Sequence, residues 1–171
     1  NKDALYNADG NPQLVSSNSV VGDVVPYLGD FGISKNPESL AVAPVSAYFA
    51  DASRGRVLAL SGEGIRPISA YGMEGYFSDL KNIANSNSII GSFDSNTKEY
   101  NLSYTDTTVS YSERSKSWVS FKSFIPEAGI SLNNNYYTFA KKYLWKHHQH
   151  TLNFYNNFYN SQFNSEVTVV F

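Results

Sequence analysis

The chain has 171 residues, a formal net charge of −2, only 16% charged residues, no cysteine, and many tyrosines, serines and asparagines. This charge balance argues against tight or sequence-specific nucleic-acid binding, which requires clustered lysine and arginine. The lack of cysteine excludes a disulfide framework or a thiolate zinc site, and no run of about 18 apolar residues that could span a membrane occurs.

The first 36 residues are rich in Asn, Ser, Gly and Asp and have weak hydrophobic periodicity. Asn7–Pro12 is a cluster of turn-forming residues, and Val20–Tyr27 is the one candidate strand. With so few apolar residues, this part is not expected to order itself without a partner. We therefore interpret residues 1–36 as an extended arm or irregular segment that lies on a neighbouring molecule.

Residues 46–69 predict two β-hairpins, because apolar residues alternate with others on both sides of two turns. The first turn is Ala52–Gly55, and the second is Gly62–Gly64, where glycine supplies the positive φ that a tight turn needs. Asp51 ends the first strand. An aspartate at this place usually caps the turn by accepting hydrogen bonds from backbone N–H groups.

Residues 72–85 predict the one helix of the chain. Apolar side chains recur with the spacing of a single helix face, and Glu74, Asp79 and Lys81 fall off that face. We expect the helix to be an insertion that packs on the edge or rim of a sheet. The apolar face consists of Met73, Tyr76, Phe77, Leu80, Ile83 and Ala84.

Residues 88–124 contain four short runs in which apolar and polar residues alternate, separated by short polar turns. A period of two places successive side chains on opposite faces of a sheet, and such short connectors are those of antiparallel hairpins. We predict a four-stranded meander, the unit of β-propeller blades. In its fourth strand Val119 and Phe121 are expected to face the core, with Trp118 on the opposite face.

The part after the meander is expected to contain turns at Pro126–Gly129 and Asn133–Asn135. Tyr136–Lys146 predicts a further hairpin, with Lys141 and Lys142 at its bend. The tract Leu152–Phe163 alternates asparagines and aromatics without a strict period of two, so we expect it to form a loop.

The final residues Val167–Phe171 alternate like a strand and have no turn or polar cap after them. Such a strand would be an aggregation-prone edge unless something pairs with it. We expect it to pair with a strand from a separate polypeptide or from a downstream part of the same gene product. The sequence is accordingly interpreted as a piece of a longer protein.

Together these elements predict a mainly β fold in which antiparallel meanders form β-propeller-like blades, with one inserted helix at about residues 72–85. The blade units are expected at about residues 40–69, 88–124 and 130–171, within a folded part that spans residues 37–171. The predicted core consists of the strand residues Phe49, Leu58, Leu60, Ile89, Phe93, Tyr100, Leu102, Val109, Val119 and Phe121.

No catalytic, cofactor-binding or metal-binding site is predicted. His148 and His150 would share a face of a strand, but zinc needs a third or fourth ligand and no acidic or cysteine partner lies nearby in the sequence. Asp94–Glu99 begins like a calcium loop, but Lys98 at a ligand position would repel the ion, so a hairpin turn is favoured. No spacing selects a glycosidase pair from the carboxylates Asp51, Glu63, Glu74, Asp79, Asp94, Asp106 and Glu113.

Five phrases stand in order along the chain: GDFGISKNPESLAV (Gly29–Val42), YFADASRGRVLALSGEGIRPIS (Tyr48–Ser69), YGMEGYF (Tyr71–Phe77), IIGSFDSNTKEYNLSY (Ile89–Tyr104) and SWVSFKSFIPEAGISLNNNYYTF (Ser117–Phe139). As a set they resemble the large virion structural proteins of crAss-like phages and related marine podoviruses, in particular the tail muzzle. The resemblance runs from about Val21 to the C-terminus and leaves Asn1–Val20 outside it.

The resemblance implies a structural component of a short phage tail, similar in role to the nozzle of other short-tailed phages. Such a protein contains a β-propeller and is repeated in a ring around the DNA exit channel. The implied partners are copies of itself and other tail proteins, and no enzyme activity, cofactor or site residue is implied. The implied location is the virion, after assembly in the host cytoplasm, and relatives continue past the position of Phe171 with more strands.

Two other functions compete with this interpretation. The aromatics and asparagines of Asn153–Asn160 suit sugar stacking and hydroxyl recognition, so the alternative is a carbohydrate- or receptor-binding β module of a virion or cell surface. A polysaccharide-cleaving enzyme ranks last, because no carboxylate pair is selected. A near-neutral protein wall would let DNA pass without binding it tightly, which favours the tail interpretation.

Overall fold

The fold was taken from a computed structural model that describes residues 4–6, 12–14, 26–83, 88–149 and 155–169. Near the N-terminus, strand β1 (Ala4–Tyr6) pairs antiparallel with β2 (Pro12–Leu14). The segment that was expected to be irregular thus contains a short hairpin. Of the candidate strand Val20–Tyr27, residues 20–25 lie outside the described residues, and Pro26 and Tyr27 are not in a strand.

The first sheet, sheet 1, is a four-stranded antiparallel meander and confirms the two predicted hairpins. Gly55 in the first turn has φ 62°, and a Cβ there would lie 2.9 Å from the carbonyl oxygen of Phe77, so only glycine fits. The strands, in sheet order, are β3 (Ala41–Val42), β4 (Ala47–Asp51), β5 (Arg56–Ser61) and β6 (Gly64–Pro67).

Asp51 is buried, and its side chain does not cap the backbone of the turn that follows it. It binds residues that lie earlier in the chain, and the Arg54 side chain, instead. Its carboxylate accepts hydrogen bonds from the Gly32 N–H at 3.1 Å, the Ser34 hydroxyl at 2.6 Å and the Arg54 guanidinium at 3.0 Å. Burial alone would raise the pKa of Asp51, but these hydrogen bonds outweigh it and lower the pKa. The carboxylate thereby ties residues 32–34 to sheet 1.

The predicted helix is present as two short segments, α1 (Glu74–Ser78) and α2 (Leu80–Ile83), with Asp79 between them. Phe77 and Leu80 of the apolar face are buried, whereas Tyr76 is exposed. Ala84 of that face lies outside the described residues. Within the described residues the helix begins at Glu74 instead of Gly72 and is interrupted at Asp79, although the two residues that anchor it were predicted.

The second sheet, sheet 2, confirms the predicted four-stranded meander, with each strand hydrogen-bonded to its neighbour in the sequence. The period of two and the polar connectors place strands and turns as expected. The strands are β7 (Ile90–Asp94), β8 (Glu99–Tyr104), β9 (Thr107–Ser112) and β10 (Ser117–Lys122).

The expected orientation of β10 was wrong. The register shifts between Trp118 and Ser120, so that Trp118 lies opposite Tyr111 and Phe121 opposite Val109. A bulge of this kind adds one residue and reverses the alternation, which places Trp118 and Phe121 on the same face. Val119 and Phe121 are 45% and 60% exposed and are not core residues, while Trp118 packs against the core.

Sheets 1 and 2 pack face to face, and their contact is aromatic. The Tyr48 ring of β4 stacks on Tyr100 of β8, with ring centroids 5.1 Å apart, and lies 6.3 Å from the Phe93 ring. Trp118 reaches back to the helix, where its ring lies 4.6 Å from Phe77, and its indole N–H donates to the Ile68 carbonyl at 3.1 Å. Offset aromatic pairs of this type contribute beyond their buried area.

Most of the other predicted core residues are buried, namely Phe49, Leu58, Ile89, Phe93, Tyr100, Leu102 and Val109, while Leu60 is half-buried. The main hydrophobic cluster lies between the two meanders and includes Ile89, Phe93, Tyr100, Leu102 and Val109. Phe49 and Leu58 pair on the other face of sheet 1, and it is their neighbours Tyr48 and Val57 that face sheet 2.

The third sheet, sheet 3, has three strands and begins earlier than expected, because Ala128 and Gly129 belong to its first strand and not to a turn. The predicted turn at Asn133–Asn135 is confirmed for Asn133 and Asn134, which have φ of 49° and 58°. Lys141 and Lys142 form the predicted bend, with φ of 54° and 68°. The strands are β11 (Ala128–Leu132), β12 (Asn135–Ala140) and β13 (Tyr143–Lys146).

The tract predicted to be a loop contains a small hairpin, in which β14 (Asn157–Phe158) pairs with β15 (Ser161–Gln162). Tyr159 and Asn160 form its turn, with φ of 54° and 63°. Val167–Val169 is not in a strand, because no strand among the described residues pairs with it, and residues 170–171 lie outside the description. The strand expected for Val167–Phe171, whose partner was to come from another polypeptide or from a downstream part of the same gene product, stays a prediction.

Candidate functional site

The face of sheet 2 turned away from the core is polar and yet buried. Ser92, Asn101 and Ser110 lie side by side on adjacent strands and are at most 2% exposed. The Ser92 and Tyr136 hydroxyl oxygens lie 2.7 Å apart. A Cβ on Gly129 would come within 2.7 Å of Ser92. Sheet 3 therefore covers this polar face at close range, through small residues and hydroxyl contacts.

The loop end of sheet 2 is bound by sheet 3 as well. The Ser131 hydroxyl donates to the Phe93 carbonyl at 2.8 Å and accepts from the Ser95 N–H at 2.9 Å. Asp94 accepts from the Asn96 N–H at 2.9 Å within its own turn. This is the hairpin turn that was predicted in place of a calcium loop, and it is confirmed.

The two described histidines of the cluster have structural partners in different places. The His147 ring lies between Phe124 and Tyr136, with centroids 4.8 and 4.9 Å away, and its Nε2 is 2.7 Å from the Thr138 hydroxyl. His148 Nε2 is 2.6 Å from Asp94 Oδ2. Burial would raise the pKa of Asp94, but the hydrogen bond and charge of His148 lower it below its usual range.

His150 lies outside the described residues, so the expected face shared by His148 and His150 is not seen. Within the described residues, no three His, Asp or Glu side chains converge closely enough to hold a metal ion. His148 instead connects the segment after β13 to the end of β7, through its contact with Asp94.

The carboxylates considered as catalytic candidates are spread over the surface or engaged in structural contacts. Glu113 accepts a hydrogen bond from the Tyr48 hydroxyl at 2.8 Å, and Glu74 pairs with Arg56. Burial raises the pKa of Tyr48, and the bond to Glu113 raises it further. Three further candidates, Glu63, Asp79 and Asp106, are exposed.

Acid should destabilise the protein through His147. Burial lowers the pKa of this histidine from 6.5 to about 4, so the unfolded chain binds a proton that the folded protein rejects. Between about pH 6.5 and pH 4 the free energy of unfolding should fall by an amount on the order of 2 kcal/mol. Urea unfolding across this range measures it.

The variant H147Q should lose most of this dependence, while H148Q should keep it, because His148 is not the buried ring. Asp94 and Asp51 should not contribute to this slope, because the pKa of each is lowered from 3.8. The stability that these two carboxylates give to the folded protein is lost only as the pH falls below about 3.8. An unchanged slope in H147Q would contradict the assignment.

Sheet 3 has one face that no described residue covers. In this open face Ile130 lies opposite Tyr137, and Phe139 lies between Ala128 and Leu144. Their neighbours Tyr136, Thr138 and Ala140 point to the other face and are buried. The open face carries four large apolar side chains that are 44–62% exposed, namely Ile130, Leu132, Phe139 and Leu144.

An apolar patch on a sheet face of a soluble protein is a mark of an interaction surface. Sequence reasoning missed this surface. A signal was present, because β12 carries apolar or aromatic residues at successive positions, which indicates a strand covered on both faces.

The aromatic tract that suggested sugar binding is only partly exposed. Phe158 packs on Phe124 at 5.2 Å between ring centroids, and Tyr159 lies 5.4 Å from Trp145. Tyr155 is 72% exposed, and Asn153 lies outside the described residues. Most of the described aromatics of this tract therefore hold the small hairpin on sheet 3.

The family model for the Crassvirus muzzle protein matches residues 5–142, well over half of the 171-residue chain. The chain belongs to this family. The match confirms the resemblance seen in the sequence, and it begins nearer the N-terminus than Val21 and ends at the bend between β12 and β13. A search of the curated proteins found no match.

Membership in the muzzle family gives the chain a structural role in the tail of the phage particle. The match spans sheets 1 and 2 and the first two strands of sheet 3, so it covers both inter-sheet contacts described above. In the part of the chain that the structure describes, no helix is long and apolar enough to cross a membrane.

Proposed function

We propose that the chain is a non-enzymatic structural subunit of the tail muzzle, built of β-propeller-like blades, that forms a ring around the DNA exit channel with copies of itself. Family membership supports the structural role. The main support for ring assembly is the open apolar face of sheet 3, because a patch of exposed apolar side chains marks an interaction surface.

The arrangement of the sheets supports the blade interpretation. Each is an antiparallel meander of consecutive strands, and the first strands lie side by side, with β3 and β11 both against β7. In a propeller, the first strand of each blade lies nearest the central axis and neighbours the first strands of the adjacent blades. Three successive blades would place β3, β7 and β11 in this order.

The order in which the sheets pack on one another supports a further sheet on the open face of sheet 3. Sheet 1 covers the apolar face of sheet 2, and sheet 3 covers its polar face. A next sheet from a neighbouring copy would cover Ile130, Phe139 and Leu144 in the same way and close the stack. Burying side chains of this size removes apolar surface from water at about 25 cal/mol per Å².

The charge balance supports a conduit. With a net charge of −2, the protein offers no general attraction to the DNA backbone, so passing DNA would not be retained. The described lysine Lys122 is paired with Glu99 at 2.6 Å, which removes one cation from the surface. We place the assembly of the ring, with other tail proteins, in the host cytoplasm before release of the particle.

The test is incorporation of the variant L144D into virions. The added carboxylate would be buried without a partner in the proposed contact, which costs several kcal/mol, so incorporation into tails should fall at least about tenfold. The isolated chain should fold as before, because the Leu144 side chain is 57% exposed. Mass spectrometry of purified particles measures the incorporation.

The matched control is V45D, because Val45 is 76% exposed in a loop outside sheet 3. It should be incorporated like the unmodified protein. Full incorporation of L144D, or an equal loss in both variants, would reject sheet 3 as the assembly surface.

A further inference from the structure

Sheet 3 has one strand fewer than sheets 1 and 2, and its last strand leaves an edge open. Sheets 1 and 2 each have four strands, whereas sheet 3 ends at β13 among the described residues. An open edge presents unpaired backbone N–H and C=O groups, which are a template for one more strand. Because propeller blades have four strands, β13 lies where the fourth strand of a blade is missing.

The direction of the backbone in β13 shows which of its groups are open. The His147 N–H donates to the Tyr136 carbonyl at 2.9 Å, so it points towards β12. Backbone groups two residues apart in a strand point the same way, so those of Trp145 also point towards β12. The N–H and C=O groups of Leu144 and Lys146 therefore point outwards, to the open edge.

The side chains at this edge are basic. Lys141 and Lys142 form the bend before β13, and Lys146 ends the strand. All three are exposed, and none forms an ion pair with a described residue. A second copy of β13 on this edge would bring lysines together, which is unfavourable. A strand that carries an acidic residue matches the edge better.

The segment after β15 has the features of such a strand. Glu166 is the one charged residue between positions 163 and 171. Val167 and Val169 alternate with polar residues and are 89% and 62% exposed. Asn164–Val167 line an open groove beside β10, yet β10 pairs only with β9 among the described strands. The segment is therefore a strand-like stretch without a partner strand.

One antiparallel register matches the segment to β13 in charge and in apolar contact. The register that places Glu166 opposite Lys146 also makes two apolar pairs, namely Val167 with Trp145 and Val169 with Tyr143. Opposite charges and pairs of an aromatic with a β-branched residue stabilise neighbouring strands. The same register places Thr168 opposite Leu144, so that the Thr168 N–H points at the open carbonyl of Leu144.

We propose that Glu166–Val169 of a neighbouring copy adds to β13 as the fourth strand of sheet 3. The inference rests on the proposed ring, because a contact between the segment of one copy and the edge of the next is head-to-tail. Head-to-tail contacts of this kind close into rings. The added strand uses the edge of sheet 3 and not its open face, so the two contacts are separable by mutation.

The first test titrates the full chain into a fluorescein-labelled synthetic peptide of residues 163–171 and follows fluorescence anisotropy. K146P should weaken binding at least about tenfold, because proline removes the outward N–H and its ring blocks the edge. The matched control K146A keeps this N–H and loses only the ammonium group, so its affinity should stay within about fivefold.

The second test changes the peptide and leaves the chain unmodified, so it does not depend on the folding of a variant. N-methylation at Thr168 removes the N–H that points at β13 and should weaken binding at least about tenfold. N-methylation at Val167 removes an N–H that points away from β13, so this peptide should bind as before.

Four results would overturn the proposal. The peptide does not bind, or K146P binds it like the unmodified protein. K146A loses as much affinity as K146P, or the two N-methylated peptides bind equally. Peptide binding does not require an assembled ring, so these results are independent of the L144D experiment. A peptide that fails to bind while L144D is excluded from virions would reject the added strand and leave the ring in place.

Discussion

Replacing Gly91 by alanine should lower the free energy of unfolding by about 3 kcal/mol, because the turn that leads into sheet 1 approaches β7 at this glycine. A Cβ at Gly91 would lie 1.8 Å from the carbonyl oxygen of Ser39 and 2.4 Å from its carbonyl carbon. Both are backbone atoms, so no side-chain rotation relieves the overlap, and residues 39–41 would have to move away from β7.

That movement would break several buried contacts of Ser39. Its carbonyl accepts the Tyr100 hydroxyl at 2.7 Å, and its own hydroxyl accepts the Ala50 N–H at 3.0 Å and donates to the Asn36 carbonyl. Urea unfolding of G91A measures the loss. G62A is the matched control, because a Cβ at the exposed Gly62 meets no atom within 4 Å. Equal stability of G91A and G62A would contradict the close approach of Ser39 to β7.

Truncating Leu102 to alanine should cost about 2–5 kcal/mol, through lost burial and the cavity left behind. Leu102 is fully buried in β8, between Gly91 of β7 and Val109 of β9. Thermal or urea unfolding measures the change.

The control for Leu102 is F121A on the neighbouring strand β10. The sequence placed both residues in the core, whereas the structure leaves Phe121 60% exposed. Its truncation should therefore cost less than about 1 kcal/mol. A loss in F121A as large as in L102A would show that Phe121 is a core residue, as the sequence predicted, and would contradict its exposure in the structure.

The strands and their order were predictable because local signals agree with the fold. Alternation over Ile90–Asp94 and Glu99–Tyr104, with a short polar turn between them, leaves one antiparallel pairing that buries Phe93 and Tyr100 together. The hairpin around Gly55 was predictable for the same reason. These features depend on a few neighbouring residues.

The features that were missed depend on contacts between distant parts of the chain. The bulge at Val119 reverses the faces of β10, and nothing in the alternation of neighbouring residues requires it. Ser92, Asn101 and Ser110 form a polar face that alternation alone would place in water, yet sheet 3 buries it. The open face of sheet 3 and the burial of His147 follow from the same long-range packing.

We propose that the chain forms blades of the tail muzzle and that a neighbouring sheet covers its sheet 3. A cryo-electron microscopy reconstruction of the tail of a phage that carries this chain would test both parts together. We expect a ring at the distal end of the tail, with β3, β7 and β11 in adjacent blades and with Ile130, Phe139 and Leu144 buried against another copy. Density for this chain elsewhere in the particle, or these three side chains facing solvent in the assembled tail, would contradict it.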